Sequence, residues 1–269
     1  MRIDFLRQLL RADIGYGDIT SSLLPDRVVK GEILAKEDLV LSGTAQITPL
    51  LSEYGVECNA YFNDGDHVSS GLVIMALKGN VKTLLTLERT VLNILQRMSG
   101  IATVTAECVK AVGPSVRVAA TRKTLLPYFD KMAVIDGGGD PHRWRLDDMF
   151  LIKDNHIELL GIRAAVDKAR KMSFSKKIEV EVASMEQALE AAEAGADIIM
   201  LDNMRPSDIK ATIKALKRAG HDKIMFEASG NITPLNLKEY ASSGVNIVSM
   251  GWLTHSVRSV DISLEVHGD

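Results

Sequence analysis

The chain has 269 residues, of which 46% are hydrophobic and 25% are charged, and its formal net charge is −3. This composition is typical of a globular protein of one large or two modest domains, and it excludes a disordered or fibrous chain. The slight acidity and the small number of aromatic residues argue against a nucleic-acid-binding protein, because neither a basic surface nor rows of stacking rings can be assembled.

The N-terminal part predicts a mixed α+β unit. A short helix is expected over residues 4–10, and strands over residues 28–34 and 72–77, separated by turn signals. From residue 83 to residue 99 apolar side chains recur every three or four positions, which predicts an amphipathic helix. This helix is expected to connect the two halves of the chain.

The C-terminal part repeats short β-branched or apolar runs that alternate with helical segments. Ser184 to Gln187 form a capping-box sequence at the start of one helix, and Pro206 starts another. Such alternation predicts parallel strands joined by crossover helices, and the number of units favours an α/β barrel over an open sheet. The predicted strands are residues 116–119, 149–152, 178–182, 198–201, 224–226 and 247–250.

Other signals exclude several protein classes. Charged residues interrupt the first fifteen positions, so no export signal is expected, and no segment is apolar enough to predict a membrane span. Cys58 and Cys108 are far apart and predict buried thiols in a reducing cytoplasm, not a disulfide or a zinc site. The glycine run at residues 137–139 fits a turn better than a phosphate loop, although both readings stay open.

Charged residues stand at or just after the ends of the predicted strands. Because parallel strands are buried on both faces, an unpaired charge there is costly, and barrel enzymes build their active sites at these C-terminal ends. Alternation in residues 178–182 directs Glu179 and Glu181 to the same side, so at least one carboxylate is expected to point into the barrel. The residues concerned are Arg122, Lys123, Lys153, Asp154, Glu181, Asp202 and Glu227.

The cationic residues of this set predict a pocket for a small, highly charged anion. Arginine binds carboxylates and phosphates through paired hydrogen bonds, and Arg89, His142 and Arg143 add to the strand-end cations. Opposing carboxylates, Glu181 and Asp202, suit a divalent ion or a hydroxylated group that develops positive charge. Together these features predict a phosphorylated sugar as a substrate.

The order and spacing of these motifs resemble quinolinate phosphoribosyltransferase, the nicotinate-nucleotide pyrophosphorylase (carboxylating) family, over nearly the whole chain. The resemblance is carried by Gly17-Asp18-Ile19-Thr20, Glu88-Arg89-Thr90, Ser99-Gly100-Ile101-Ala102-Thr103, Thr121-Arg122-Lys123-Thr124, His142-Arg143, Leu151-Ile152-Lys153-Asp154-Asn155-His156, Glu179-Val180-Glu181, Leu201-Asp202-Asn203, Glu227-Ala228-Ser229-Gly230 and Thr254-His255-Ser256.

The resemblance implies the fold and the reaction. The fold is an N-terminal α/β sandwich domain (residues 1–102, with residues 253–269 returning to it) plus an incomplete α/β barrel domain of parallel strands (residues 103–252). The reaction joins quinolinate to 5-phosphoribosyl 1-pyrophosphate with Mg²⁺ as cofactor, and gives nicotinate mononucleotide, pyrophosphate and carbon dioxide in NAD biosynthesis. The implied enzyme is a cytoplasmic homodimer or larger oligomer that binds no nucleic acid and no membrane.

The resemblance also implies roles for individual residues. Arg89 is expected to reach the quinolinate site of a neighbouring subunit, while Glu181 and Asp202 bind the ribose hydroxyls and the metal, directly or through substrate and water. Lys123 is expected to contact pyrophosphate, and Lys153 to supply or relay a proton after decarboxylation. The quinolinate carboxylates are assigned to Arg122, His142, Arg143 and Lys153, the 5-phosphate to Ser229, Gly230, Met250 and Gly251, and further substrate contacts to Thr121 and Asn231.

The chain departs from the family pattern in places, and other functions compete. Residues 125–130 replace a Thr-Pro-Gly segment and an arginine, Ala120 stands where many members have aspartate, and Pro141 where many have asparagine. Relatives linked to molybdate transport differ in similar ways, so a diverged relative or a non-catalytic anion-binding module is one alternative. The other is a Schiff-base aldolase that uses Lys123 or Lys153 as its nucleophile.

Overall fold

The computed structural model describes residues 2–268, and these fall into two compact units. The first unit contains the residues up to Ala106, the segment Met132–Gly138, and the residues from Val257 onward. The second unit contains Glu107–Lys131 and Gly139–Ser256. The described residues include no helix that is both long and apolar enough to cross a lipid bilayer.

The N-terminal elements alternate between short strands and helices. They are α1 (Arg2–Ile14), β1 (Val28–Ala35), β2 (Leu39–Val40), α2 (Thr44–Glu53), β3 (Glu57–Ala60), β4 (His67–Val68), β5 (Val73–Asn80) and α3 (Val81–Val112). The predicted helix at residues 4–10 and the predicted strands at residues 28–34 and 72–77 correspond to α1, β1 and β5.

The remaining elements repeat the predicted strand and helix alternation. They are β6 (Arg117–Ala120), α4 (Pro127–Asp136), β7 (Phe150–Ile152), α5 (Asp154–Leu160), α6 (Ile162–Met172), β8 (Ile178–Val182), α7 (Met185–Glu193), β9 (Ile198–Asp202), α8 (Pro206–Arg218), β10 (Met225–Ser229), α9 (Leu237–Ala241), β11 (Ile247–Met250), α10 (Trp252–His255) and β12 (Ile262–His267).

The first unit is built on an antiparallel sheet of order β12-β1-β5-β3, so the last strand of the chain pairs with the first. Apolar side chains of β1 and β5 alternate with exposed ones, and the buried set packs with residues of α1, α2 and α3 in one core. Cys108 is buried as predicted, but Cys58 is only half-buried, because it lies on the edge strand β3.

The second unit is a parallel sheet of order β6-β11-β10-β9-β8-β7, with helices between successive strands. Its strands are buried on both faces, which explains their continuous apolar sequence. Since β6 and β7 are the two edge strands, the barrel is incomplete between them. The segment at Asp140 forms a parallel bridge with Ala119 on the free edge of β6. The predicted α/β fold with an incomplete barrel is therefore confirmed.

The glycine run at residues 137–139 belongs to a closely packed turn. A Cβ atom on Gly137 would lie 2.4 Å from the carbonyl oxygen of Ala102 and 2.7 Å from Cβ of Thr105, both on α3. Gly138 has a φ of 81°, a conformation that favours glycine. Close packing explains Gly137 and the positive φ explains Gly138, which favours the turn over the phosphate loop.

Candidate active site

Strand register brings the predicted site residues to one edge of the second unit. Asp202 at the end of β9 is in register with Ser229 at the end of β10, and Met250 on β11 with Ala120 on β6. Glu181 lies on β8, one strand beyond β9. Because all these strands are parallel, their carboxyl ends and the residues that follow share one edge of the sheet. This is the candidate active site.

A cluster of opposite charges occupies the β7 and β8 side of this edge. Lys153 follows β7, and its ammonium forms an ion pair with the carboxylate of Glu181. The pKa of Arg143 is lowered mainly by burial and secondly by the like charge of Arg122. Glu181 is one of the acidic residues whose charge opposes this lowering. Arg122, Arg143 and Glu181 are thus close enough for their charges to interact. An anionic group placed here would relieve the repulsion between the two arginines.

Lys123 lies at the β6 and β11 side of the edge. Its main-chain carbonyl accepts a hydrogen bond of 2.8 Å from the hydroxyl of Thr254, which fixes the loop after β6. A Cβ atom on Gly251 would lie 3.3 Å from Cδ of Lys123 and 3.0 Å from Cδ2 of His255. The Met250-Gly251 turn therefore has a lysine stem and a histidine ring packed against it, and a larger residue at position 251 would displace them.

A third part of the edge is formed by the turns after β9 and β10. The amide nitrogen of Asn203 donates to the carbonyl of Ser229 at 2.9 Å, and Nδ2 of Asn231 donates to Oδ1 of Asn203 at 3.0 Å. Asn203 and Asn231 have φ angles of 54° and 50°, a conformation that asparagine tolerates better than most residues. Nδ2 of Asn203 also donates to Asp202 at 2.6 Å, so this network orients the Asp202 carboxylate.

His142 faces two buried glutamates beneath the edge. Its Nε2 atom lies 3.2 Å from Oε2 of Glu227 and 3.4 Å from Oε2 of Glu179, and neither glutamate is exposed. Burial lowers the basicity of the ring, but the hydrogen bonds to the two carboxylates outweigh it and raise the pKa of His142 to about 10. Burial also raises the pKa of Glu179. Both ring nitrogens of His142 are bonded within the protein, since Nδ1 accepts from the amide of Arg143 at 2.8 Å.

The remaining predicted residues are placed as follows. Thr121 accepts a hydrogen bond of 3.2 Å from the amide of Lys123, so its hydroxyl shapes the loop after β6. Arg89 lies on α3 in the first unit, and its guanidinium is 3.9 Å from Glu88. The predicted role of Arg89 in another subunit stays a prediction.

Lys131 is a residue of this region that the sequence did not single out. Its side chain is not exposed, and its ammonium donates to the carbonyls of Pro141 and Arg143 on either side of His142. Burial and, next, the charge of Arg122 lower the pKa of Lys131 to about 8. A lysine inside a helical segment of mixed polarity carries no sequence signal of such burial, whereas alternation in β8 did mark Glu179 as facing inward.

Two groups of side chains offer metal-ligating atoms. His142, Glu179 and Glu227 have such atoms within 4.8 Å of one another. Glu181 and Asp202 stand on neighbouring strands at the edge and offer carboxylate oxygens, which are the ligands that Mg²⁺ prefers. The second pair is partly exposed at the open edge, so it is the pair that a substrate-bound ion can reach.

Comparison with known proteins identifies the family of this chain. Residues 18–99 match the family described as quinolinate phosphoribosyl transferase, N-terminal domain, and residues 101–265 match the corresponding C-terminal domain. The chain belongs to the quinolinate phosphoribosyltransferase family. The resemblance seen in the sequence motifs is thereby confirmed.

Individual members of the quinolinate phosphoribosyltransferase family are similar over their full length. A probable nicotinate-nucleotide pyrophosphorylase (carboxylating) of Methanothermobacter thermautotrophicus is 45% identical, over 99% of both chains. A protein with the same name from Bacillus subtilis is 42% identical, over 97% of this chain and 92% of its own. The nicotinate-nucleotide pyrophosphorylase structure from Francisella tularensis superposes with a TM-score of 0.92 at 35% identity, over 99% of this chain and 96% of its own.

Proposed function

We propose that this protein is a phosphoribosyltransferase that converts quinolinate and 5-phosphoribosyl 1-pyrophosphate to nicotinate mononucleotide, pyrophosphate and carbon dioxide, a step of NAD biosynthesis. Full-length similarity to carboxylating nicotinate-nucleotide pyrophosphorylases is the observation that carries the proposal. The edge of the second unit supports it, because cations and carboxylates meet there as a dianionic pyridine and a phosphorylated sugar require.

The cations at the edge would bind and orient the pyridine. Arg122 and Arg143 repel each other until an anion lies between them, and the carboxylates of quinolinate would serve as that anion. Lys153 stands beside them, and Arg89 of a second subunit would complete the pocket in a homodimer. Holding the ring nitrogen next to the sugar's C1 replaces an encounter in solution with a positioned reaction.

The carboxylates and turns would hold the sugar. Glu181 and Asp202 would accept hydrogen bonds from the ribose hydroxyls, and the Ser229-Gly230 and Met250-Gly251 turns, with Asn231, would surround the 5-phosphate. Lys123 would offset the charge of the departing pyrophosphate. As the C1–oxygen bond to pyrophosphate breaks, the ribose develops positive charge, which the two carboxylates stabilise.

Mg²⁺ fits the donor set at this edge. Glu181 and Asp202 supply only oxygen ligands, and each is partly exposed, so the ion would be held partly by substrate hydroxyls and water. When bound, Mg²⁺ supplies charge neutralisation for the pyrophosphate.

Decarboxylation would follow from the new carbon–nitrogen bond. Attack by the ring nitrogen on C1 makes the ring a pyridinium, which stabilises the electron pair left when the neighbouring carboxylate departs as carbon dioxide. The resulting carbanion at C2 takes up one proton to give nicotinate mononucleotide. Lys153 would supply or relay that proton, and its ion pair with Glu181 would hold the ammonium at the active-site edge.

The aldolase alternative has less support. A Schiff-base lysine needs a desolvated amine, whereas Lys123 is exposed and Lys153 is ion-paired with 41% of its side chain exposed.

The two free thiols, Cys58 and Cys108, suit the reducing cytoplasm in which we place the reaction.

A substrate panel tests the proposed function. The protein is mixed with Mg²⁺, phosphoribosyl pyrophosphate and either quinolinate, nicotinate or another pyridine acid, and the nucleotide product is measured. We expect product with quinolinate and none with nicotinate, and we expect a chelator to stop the reaction until Mg²⁺ is restored. Binding of both substrates without any product would instead support the non-catalytic module, and product from a different pyridine acid would support a diverged relative.

A further inference from the structure

The turn at residues 140–143 presents Arg143 to the active-site edge and is held in an unusual conformation. Asp140 forms two backbone hydrogen bonds with β6. Its amide donates to the carbonyl of Val118 at 2.8 Å, and its carbonyl accepts from the amide of Ala120 at 2.9 Å. Two residues later His142 has a φ of 52°, in the region that favours glycine. A histidine in this conformation persists only where the surroundings hold it there.

The side chain of His142 supplies one half of that support. Its Nε2 atom faces Glu179 and Glu227, and its Nδ1 atom accepts from the amide of Arg143, the next residue. Its own amide donates to Oδ1 of Asp140 at 2.7 Å. Every polar atom of the imidazole is therefore used inside the protein. Two buried carboxylates beside the ring would also repel a dianionic substrate.

The hydrogen bond to Nδ1 determines where the protons of this cluster lie. Nδ1 can accept from Arg143 only when it carries no proton, so this hydrogen bond opposes the imidazolium that the raised pKa of His142 would otherwise favour at neutral pH, and it places the ring proton on Nε2. The second proton that the two carboxylates attract belongs to the cluster as a whole, in which burial raises the pKa of Glu179.

Lys131 supplies the other half of the support. Its unexposed ammonium donates to the carbonyls of Pro141 and Arg143, which bracket His142 in the chain. The same ammonium lies 6.0 Å from the ring centroid of Trp144, so an aromatic face closes one side of its site. Both of these hydrogen bonds go to the backbone of the turn, and the Lys131 side chain is not exposed to solvent.

We propose that His142 and Lys131 are positioning residues that set the direction of Arg143. The two glutamates hold the His142 ring from below, and Lys131 holds the backbone of the turn. The guanidinium of Arg143 is thereby kept near Arg122 despite their repulsion. This inference rests on the proposed function for the identity of the substrate, and it replaces the direct contact between His142 and a quinolinate carboxylate.

A double-mutant cycle on quinolinate binding tests the proposal. We expect His142→Asn, which tolerates the positive φ, and Lys131→Met each to raise the quinolinate KM by about 10- to 100-fold, with a much smaller change in kcat. When Arg143→Ala is already present, neither change should weaken quinolinate binding further, as measured by calorimetry. His221→Asn, in the loop between α8 and β10 and therefore at the opposite end of that strand from the active-site edge, is the matched control. Independent, multiplying effects of His142→Asn and Arg143→Ala would overturn the proposal.

A spectroscopic measurement on the unmodified protein separates this inference from the proposed function. With ¹⁵N-labelled histidine, NMR should show His142 protonated at Nε2 and unprotonated at Nδ1, both without and with quinolinate. A change in the protonation of either ring nitrogen on adding quinolinate would overturn the positioning role. If quinolinate does not bind at all, the proposed function fails, while the tautomer still shows whether the cluster holds the turn as described.

Discussion

At the scale of single residues, the ion pair between Lys153 and Glu181 is the contact nearest to the proposed chemistry. Replacing Lys153 by alanine removes the proposed proton donor and one cation of the pyridine site. We expect kcat to fall by about 10²- to 10⁴-fold, the usual contribution of a general acid. Steady-state kinetics at saturating substrates measure this, with Lys210→Ala on the exposed face of α8 as the control. Nearly full turnover by Lys153→Ala would eliminate the role.

The two cysteines give a prediction about pH. Burial raises the pKa of Cys58 and of Cys108 to about 11, and a raised pKa keeps a thiol protonated and unreactive. At pH 8 the thiolate fraction should be about 100-fold below that of a thiol with the ordinary value of 9.0. The rate of modification by a thiol reagent should rise about tenfold per pH unit up to pH 10. A rate that levels off near pH 9, as the unfolded protein should show, would contradict this.

The sequence predicts the orientation of a side chain well where a periodic pattern marks it, and poorly where the side chain is buried by the packing of distant elements. Strand alternation was enough to place Glu179 and Glu181 on one side of β8 and to predict that at least one of them points inward, and Glu179 is fully buried. Nothing in the sequence indicates that His142 bonds to Glu227, 85 positions away, or that Lys131 is buried beneath a turn. Such contacts depend on how separate elements pack, and short-range patterns do not contain that information.

At the scale of elements, the turn after β10 gives a prediction about backbone conformation. Gly230 has a φ of 97°, and a Cβ atom there would lie 2.3 Å from Oδ1 of Asn203 and 2.8 Å from its amide nitrogen. Gly230→Ala should therefore destabilise the protein by about 1–3 kcal/mol and raise the KM for phosphoribosyl pyrophosphate.

Gly220→Ala is the matched control for this turn. Gly220 has a similar φ of 90°, but no atom lies within 4 Å of the position of its Cβ. Gly220→Ala should therefore introduce similar backbone strain, measured by thermal unfolding, but leave the KM for phosphoribosyl pyrophosphate unchanged, measured by steady-state kinetics. Equal effects of both substitutions on the KM would mean that the close contact between Gly230 and Asn203 does not shape the phosphate site.

The boundaries of α3 show why element ends are harder to predict than elements. The pattern predicts a helix over residues 83–99, whereas α3 continues to Val112. Gly100 suggests a helix end in the sequence, but its role is packing, because a Cβ atom there would lie 2.2 Å from the carbonyl of Arg258. By contrast, β8 and β11 begin and end where the sequence predicts, since each is a short β-branched or apolar run, with alternating glutamates in β8, between turn signals.

At the scale of the whole molecule, the proposed homodimer makes a prediction about mixed subunits. If Arg89 completes the site of a second subunit, Arg89→Ala and Lys153→Ala each remove a different contribution to every site. Refolding an equal mixture of the two variants should restore about a quarter of full activity, because half of the dimers would be mixed and each would have one intact site. Activity that stays at the level of the separate variants would show that Arg89 acts within its own subunit.

Fold and family follow from the sequence more completely than the assembly does. Repeated parallel strands and spaced motifs are local signals that together specify the barrel and its active-site edge. Neither the oligomer nor the return of the C-terminal strand β12 to β1 leaves a local signal, because both depend on surfaces that meet only after folding.

The central claim is that one edge of the second unit binds a pyridine dicarboxylate beside a phosphoribosyl group and removes one carboxylate only after the two are joined. The most direct measurement uses quinolinate labelled in the carboxylate next to the ring nitrogen, with and without phosphoribosyl pyrophosphate. We predict labelled carbon dioxide only when the sugar phosphate is present, in equal amounts with pyrophosphate. Release of label without the sugar phosphate, or pyrophosphate without carbon dioxide, would contradict the account.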